Sequence, residues 1–185
     1  MNDSYHHGDL RRALIDAAVA AVAESGPAAL SLRAVAKRAG VSHAAPAHHF
    51  GDKAGLLTAV AAEGFDRLAD TLEAAWDDTG DFAAVGAAYV RFAIDHRPHF
   101  AVMFRPELLH GDDADLRRAS GRSTDALHRG SGGGGDGFNP AAVAAWSLAH
   151  GFAELLLAGN FPQEVKDDPE AAFRAVGYAT GLGLD

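Results

Sequence analysis

Residues 31–53 read SLRAVAKRAGVSHAAPAHHFGDK and contain two short helical patterns separated by Gly40. Ser31 is expected to cap the first helix with its hydroxyl group, because serine accepts hydrogen bonds from free helix amides. The apolar residues behind it recur three and four positions apart: Leu32, Val35, Ala36 and Ala39. Gly40 can take the positive φ of a tight turn, and we expect Ser42 to begin the next helix. Two short helices joined so tightly must cross steeply, so the sequence predicts a helix-turn-helix, a corner that proteins without DNA partners also use.

The second helix of this pair contains a proline. With Ser42 as its N-cap, Pro46 is the fourth helical residue, where a missing amide disturbs a helix less than at its centre. The residues expected on its exposed first turns are small or are histidines: His43, Ala44, Ala45, Ala47 and His48. An alanine methyl can contact a thymine methyl, whereas bidentate reading of guanine needs an arginine that this helix lacks. The sequence therefore indicates readout through DNA shape, His43, His48 and the basic N-terminal arm.

Three segments of the first sixty residues occur together in one known family. They are YHHGDLRRALIDAA at 5–18, SLRAVAKRAGVS at 31–42 and HHFGDKAGLL at 48–57. Through this cap, glycine turn, His-Phe pair and following lysine, residues 5–60 resemble the DNA-binding domain of the TetR family of transcriptional repressors. The resemblance implies a symmetric homodimer that places its two third helices in successive major grooves of double-stranded operator DNA.

The same resemblance implies roles for individual positions. The residues implied to face the major groove are Ser42, His43, Ala44, Ala45 and His48. His49 and Lys53 are implied to contact phosphate, and Arg33 to anchor the second helix. Many relatives have tyrosine at the position of Ala47, and alanine cannot make the phosphate contact that this tyrosine commonly makes. We therefore expect a modest, salt-sensitive affinity for a palindrome whose half-sites lie about 34 Å apart.

Charge is distributed unevenly along the chain. The formal net charge of −9 argues against a DNA partner, since phosphate neutralisation is the main source of such affinity. Residues 1–55, however, hold six Lys/Arg against five Asp/Glu, together with five of the ten histidines. The acidic excess lies entirely in the remainder of the chain. We therefore expect a helix-turn-helix DNA-binding domain of residues 1–54 and a helical effector-binding and dimerisation domain of residues 55–185.

The composition favours an all-α protein of the cytoplasm. The 185 residues are 48% hydrophobic, with 21 glycines, many alanines and few β-branched runs. Because the chain has no cysteine, disulfides and thiolate metal sites are excluded, and a reducing cytoplasm is the expected compartment. No apolar run approaches the roughly 18 residues of a membrane span, so no membrane partner is expected.

Helical periodicity continues beyond the N-terminal part. The expected helices are about 9–24, 53–76, 82–95, a short piece at 98–106, 112–129, 140–158 and 169–184, with a flexible glycine-rich loop at 130–137. The segment WSLAHGFAELLL at 146–157 resembles a WHG-type ligand-binding domain found in one branch of the TetR family. The helix 140–158 is apolar on most of its circumference, so a partner chain is expected to cover one side. With the last helix it can form a four-helix dimer interface; the alternative is that both helices simply close the core of a monomer.

Six side chains of the C-terminal part are candidates for an effector pocket: Tyr89, Phe92, Met103, Phe104, Trp146 and His150. Trp146 and His150 lie one turn apart on a shared helix face. Ordinary core packing explains each of them as well, but the resemblance implies an effector pocket in this region. The glycine-rich loop lacks the ending of a P-loop, and the histidine pairs are badly spaced for chelation. We expect no catalytic residues, no metal ion and no cofactor.

These observations favour a one-component transcriptional regulator, a repressor that a small-molecule effector releases from operator DNA. Two alternatives remain open. The first is a helical small-molecule-binding or catalytic protein that has lost DNA binding, which Ala47 and the acidic total charge motivate. The second is a constitutive DNA-binding module with a filled core and no effector.

Overall fold

The computed structural model describes residues 3–129 and 139–180. Within them the chain forms ten α-helices, a short 3-10 helix and no strand, which confirms the predicted all-α fold with an N-terminal helix-turn-helix and a C-terminal helical domain. The helices are α1 Asp3–Ser25, α2 Leu32–Arg38, α3 Ala45–Phe50, α4 Lys53–Thr79, α5 Phe82–Asp95, α6 Arg97–Met103, α7 Ala114–Arg129, α8 Pro140–Leu157, α9 Gln163–Asp167 and α10 Pro169–Thr180. The 3-10 helix is Pro106–Leu108.

The chain divides into two compact units. The first comprises residues 1–65 and 97–119, and the second comprises residues 66–96 and 120–185. Helix α4 passes from the first unit to the second. The division into a domain of residues 1–54 and one of residues 55–185 stays a prediction.

Most helix boundaries follow the expected periodicity, and several features differ. Helix α1 begins at Asp3 rather than near residue 9. Ser31 occupies the N-cap position of α2, but its side chain makes no capping hydrogen bond, so that expectation is wrong. Neither α9 nor the 3-10 helix was expected, because five or fewer residues carry too little periodicity to be recognised. The expected loop 130–137 and the end of the last helix, 181–184, lie outside the described residues.

The core of the first unit forms where α1, α2 and α4 bury their apolar faces. Leu14 and Ala18 of α1, Val35 of α2, and Leu56 and Val60 of α4 are all fully buried. The buried residues of α1 and α4 recur at spacings of three or four, as amphipathic helices require, and α2 buries the adjacent Val35 and Ala36. This core fixes the position of helix α2, the first helix of the helix-turn-helix, against α1 and α4.

The second unit is built around α5, α8 and α10. The side chain of Asp81 caps α5 by accepting a hydrogen bond from the backbone amide of Ala83. The side chain of Asn139 caps α8 by accepting hydrogen bonds from the backbone amides of Ala141 and Ala142. Gly86 of α5 lies directly against Phe173 of α10: a Cβ at Gly86 would be 2.5 Å from Cε1 of that ring. The absence of a side chain at residue 86 is therefore what allows these helices to approach closely.

Helix α8 is predominantly apolar. Its 18 residues have a mean hydropathy of 1.3, so by length and composition alone it could cross a membrane, contrary to the expectation from the sequence. Core helices of soluble proteins share this length and composition. Several large apolar side chains of α8 and α10 are exposed: Val143, Trp146, Leu155, Val176 and Tyr178. We call these five side chains the α8–α10 apolar set.

Candidate nucleic-acid interface and effector core

The helix-turn-helix corner is closed by backbone hydrogen bonds around Gly40. Gly40 has a φ of +69°, which only glycine adopts without strain. The amide of Val41 then donates to the carbonyl of Ala36 at 3.0 Å, and Ala36 itself is completely buried. A larger side chain at residue 36 would push the two helices apart, so both the alanine and the glycine serve the geometry of the corner.

Helix α3 is shorter than expected. It begins at Ala45 rather than directly after Ser42, because Ser42 and Ala45 first close a turn through a hydrogen bond of 3.1 Å. Pro46 is thus the second helical residue, not the fourth, and its missing amide is one that would have no partner in the helix. Pro46 is also buried, so it fixes the start of α3 and packs beneath it.

The structure brings most of the predicted DNA-contacting residues to one exposed corner. Those with exposed side chains are Arg33, Ser42, His43, Ala44 and His48. Ala45 and His49 are partly buried, and the His49 ring packs against the rings of His48 and Phe50. Ala47, where relatives carry tyrosine, is exposed as well.

Lys53, also predicted to contact phosphate, already has a partner within the chain. Its Nζ donates a hydrogen bond of 2.6 Å to the carbonyl oxygen of Ala28, in the connection between α1 and α2. An ammonium group has three donors, so this bond leaves capacity for a phosphate oxygen. Nearby, the guanidinium of Arg11 lies 5.4 Å from the ring centroid of Phe50, a cation–π contact that ties α1 to α3.

The start of α4 is held by a residue that the sequence analysis did not single out. His110 Nε2 lies 2.9 Å from Asp52 Oδ1, and the backbone amide of His110 donates to Thr58 Oγ1 at 2.9 Å. Asp52 Oδ1 also accepts from the amide of Gly55 at 2.8 Å. The hydrogen bonds from Gly55 and then from His110 lower the pKa of Asp52, so this carboxylate stays ionised. Periodicity cannot reveal a bond between residues 58 positions apart.

A polar cluster stands out in the second unit. Tyr89 is completely buried, and its hydroxyl oxygen lies 2.9 Å from Nδ1 of His150 and is also hydrogen-bonded to the side chain of Trp146. An indole can only donate, so the tyrosine oxygen accepts from Trp146. The other ring nitrogen of His150, Nε2, lies 4.0 Å from a carboxylate oxygen of Glu154. Burial raises the pKa of Tyr89 and lowers that of His150.

The remaining candidates for the effector pocket are placed differently. Phe92 is buried in the second unit beside the ring of His96. Met103 and Phe104 belong to the first unit, where Met103 lies over Gly64 and Phe104 packs edge-on against Phe65. Of the six residues, the structure thus brings together Tyr89, Trp146 and His150. A ligand-binding role for all six stays a prediction.

A small cavity in the second unit is lined by other residues. It has a volume of about 20 Å³, and its lining includes Phe82, Val85, Gly86, Leu127, Leu148 and Phe173. That volume accommodates about one water molecule, far below the several hundred Å³ of an ordinary ligand pocket. Gly86 was not among the residues predicted from the sequence; an isolated glycine within a helical pattern is the signal that could have indicated the close approach of α5 and α10.

Two family models match the chain. Residues 14–60 match the model described as bacterial regulatory proteins of the tetR family, and residues 82–177 match the tetracyclin repressor-like C-terminal domain. The chain belongs to the TetR family. Both resemblances seen in the sequence are thereby confirmed, and the C-terminal match contains the segment 146–157 on which the second one rests.

Several solved structures share this TetR-family fold. A Rhodococcus sp. RHA1 protein of unknown function is 35% identical, with a TM-score of 0.71 over 94% of this chain and 97% of its own. The TetR-family regulator PfmR from Thermus thermophilus is 23% identical, with a TM-score of 0.60 and coverage of 93% and 98%. The multidrug binding protein EbrR, complexed with imidazole, is 23% identical, with a TM-score of 0.63 and coverage of 93% and 88%. No curated protein matches the sequence significantly.

Proposed function

We propose that this TetR-family transcription regulator is a cytoplasmic, homodimeric, one-component repressor that binds palindromic operator DNA. The observation that carries the proposal is the exposed corner of α2 and α3, which presents Arg33, His43 and His48 from a helix-turn-helix that matches the family's DNA-binding domain. Its small exposed residues, Ala44 and Ala47, allow the backbone to approach base edges closely.

Exposed apolar surface supports the dimer. Trp146 is 40% exposed and Leu155 is 46% exposed on α8, while Tyr178 on α10 is 62% exposed. A second copy of the same surface, related by a two-fold axis, would remove this apolar area from water and so stabilise the dimer. Two DNA-binding domains held in this way would meet half-sites one helical turn apart.

A small-molecule effector is the proposed signal. The polar cluster of Tyr89, Trp146 and His150 offers hydrogen-bonding groups within an apolar unit, which is the usual chemistry of a ligand site. The structurally similar EbrR is a multidrug binding protein, which agrees with such a role. An effector would release the operator if it binds more tightly to a conformation in which the spacing of the two DNA-binding domains no longer matches the half-sites. By linkage, operator DNA would weaken effector binding by the same factor.

One observation favours a second candidate function. The cavity of about 20 Å³ in the second unit is nearly filled by the protein's own side chains. A regulator with a permanently filled core would bind DNA constitutively, without an effector. A screen of small molecules for thermal stabilisation together with release of bound DNA separates the two: a repressor of the first kind gives hits with both effects, and a constitutive module gives none.

The DNA-binding proposal is tested by selecting duplexes from a random pool with the full-length protein, then sequencing and footprinting them. We expect an enriched inverted repeat whose half-sites are about one helical turn apart. The variant Ala44→Glu, which adds a negative charge on the exposed corner, should lose binding because phosphate repels it. Ala114→Glu adds the same charge at an exposed site of α7 and should bind like the wild type. Selection that enriches no inverted repeat would reject the proposal.

A further inference from the structure

Much of the permanent positive charge in the N-terminal head, residues 1–55, is already engaged within the chain. Arg12 bonds to Asp16 at 2.6 Å and to Glu63 at 3.0 Å. Arg38 forms an ion pair with Glu24. Together with the bond of Lys53 to a carbonyl oxygen, these contacts involve half of the six Lys/Arg of this head. The head therefore presents less cationic charge to a phosphate backbone than its composition indicates.

Two histidines of this head are exposed to solvent, one in helix α3 and one in the turn before it. His43 is exposed in the turn that leads into α3, and His48 is exposed in the last turn of α3. His48 also sits near the C-terminal end of its helix, where the backbone dipole favours a positive charge. Imidazole is the side chain that gains or loses its charge between pH 5 and 8. The charge that the corner presents to DNA thus depends on protonation.

The elements packed around α3 are mainly basic. Helix α2 carries Arg33, Lys37 and Arg38, α1 places Arg11 over Phe50, and Asp52 and Lys53 follow α3 at the start of α4. Within α3 itself, the ring of His49 contacts the ring of His48. An approaching phosphate attracts the protonated form of an imidazole directly.

Resting on the proposed DNA binding, we propose that His43 and His48 meet the operator DNA as imidazolium ions, so that operator binding takes up protons and strengthens as the pH falls. The sign follows from linkage: a complex that binds more protons than the free partners is favoured by a higher proton concentration. Each additional phosphate neutralised also releases a counterion, which steepens the salt dependence of binding. The affinity and its salt dependence therefore change together with pH.

The experiment measures fluorescence anisotropy of the duplex enriched by selection, with full-length protein, at about pH 6 and pH 8 and at several salt concentrations. We expect the affinity to be at least about tenfold higher at the lower pH. The slope of log K against log salt concentration should be steeper there by about 2 to 4, for two histidines on each of two heads. The affinity for a duplex of scrambled sequence is measured in parallel, because it reports binding that does not depend on the DNA sequence.

Three variants isolate the cause. The double variant His43→Gln/His48→Gln should bind at pH 8 nearly like the wild type and lose the gain at pH 6. Arg33→Gln removes a permanent charge, so it should weaken binding by a similar factor at both pH values and leave the pH dependence intact. His110→Gln removes the histidine that bonds Asp52 at the start of α4, and it should keep the full pH dependence.

The contrary results distinguish a failure of this inference from a failure of the proposed DNA-binding function. Binding of the enriched duplex with equal affinity and equal slope at both pH values overturns this inference while leaving the DNA-binding function intact. Persistence of the pH dependence in the double variant overturns it as well, because another group would then take up the protons. A failure to enrich any duplex at either pH rejects the proposed function itself.

Discussion

Among single residues, Gly40 shows most directly how one backbone angle supports the DNA-binding corner. Its φ is +69°, and a Cβ built on it would meet nothing within 4 Å. The variant Gly40→Ala should therefore be destabilised only by the backbone conformation, by about 1 to 2 kcal/mol. Urea unfolding of the full-length protein, followed by circular dichroism, measures this loss.

The matched control is Gly121, a glycine in the middle of α7 with equally open space around it. Gly121→Ala should stabilise the protein by up to about 1 kcal/mol, because alanine is the better helix former. Equal effects of the two substitutions would contradict the role assigned to the positive φ of Gly40.

His150 predicts a pH dependence of stability. Burial lowers its pKa, and the carboxylate of Glu154 acts in the opposite direction. The unfolded chain then binds more protons than the folded chain below about pH 6.5, so the free energy of unfolding should fall as the pH drops from about 7 to 5. Protonation also leaves Nδ1, which lies 2.9 Å from the Tyr89 hydroxyl oxygen, unable to accept a hydrogen bond. Thermal unfolding across this pH range measures the effect.

The variant His150→Gln removes the titrating ring and should flatten this part of the pH profile. Tyr89→Phe should destabilise the protein at neutral pH by about 1 kcal/mol, since it removes a buried hydrogen-bonded hydroxyl. A profile that is identical in wild type and His150→Gln would show that other groups control the acid sensitivity.

Among the helices, the contact between α5 and α10 depends on the missing side chain at residue 86. A Cβ there would lie 2.5 Å and 2.9 Å from two carbon atoms of the Phe173 ring, which Phe152 holds edge-on at 5.4 Å between centroids. Gly86→Ala should therefore destabilise the second unit by about 1 to 3 kcal/mol, despite the better helix propensity of alanine. Thermal and chemical unfolding measure the change.

A second substitution tests whether the ring is the cause. Phe173→Leu reduces the size of the side chain facing residue 86, so the double variant should lose less stability than the sum of the two single variants. Additive effects would place the strain of Gly86→Ala elsewhere than at the Phe173 ring.

The start of α4 is a second case in which one helix depends on a distant segment. Asp52 Oδ1 is hydrogen-bonded to the amide of Gly55 and to the ring of His110. Thr58 Oγ1 accepts a hydrogen bond from the backbone amide of His110. His110→Ala should make the amides of the first two turns of α4 exchange faster with deuterium, with little change in global stability. Unchanged exchange at these amides would mean that the cap at Asp52 suffices alone.

For the whole molecule, the proposed homodimer depends on the α8–α10 apolar set. Leu155→Glu places a charge on an exposed apolar face, so it should shift the protein towards monomers at micromolar concentration. Sedimentation velocity measures the shift. The control Ala114→Glu carries the same added charge on an exposed part of α7 and should sediment like the wild type. Wild-type protein that sediments as a monomer would overturn the proposed homodimer.

How much of the fold could be predicted depends on how far each interaction reaches along the chain. Helix α5 was expected at its observed residues, since a regular apolar repeat over fourteen residues is a strong local signal. Helix α3 was placed too early, because Ser42 has the chemistry of a cap while the turn to Ala45 excludes it from the helix. Of the candidate pocket, the cluster of Tyr89, Trp146 and His150 was anticipated by spacing on one helix and by residue type.

The sequence by itself determined the all-α class and the helix-turn-helix, because helical periodicity and a glycine turn act within a few residues of one another, and three short segments indicated the family by their resemblance to it. Only the tertiary structure decided which polar atoms pair, which rings fill the core and which charges remain for DNA. The bond from His110 to Asp52, the ring of Phe173 against Gly86 and the bond from Arg12 to Glu63 join residues between 51 and 87 positions apart. Their geometry arises from the packing of helices, and no local pattern encodes it.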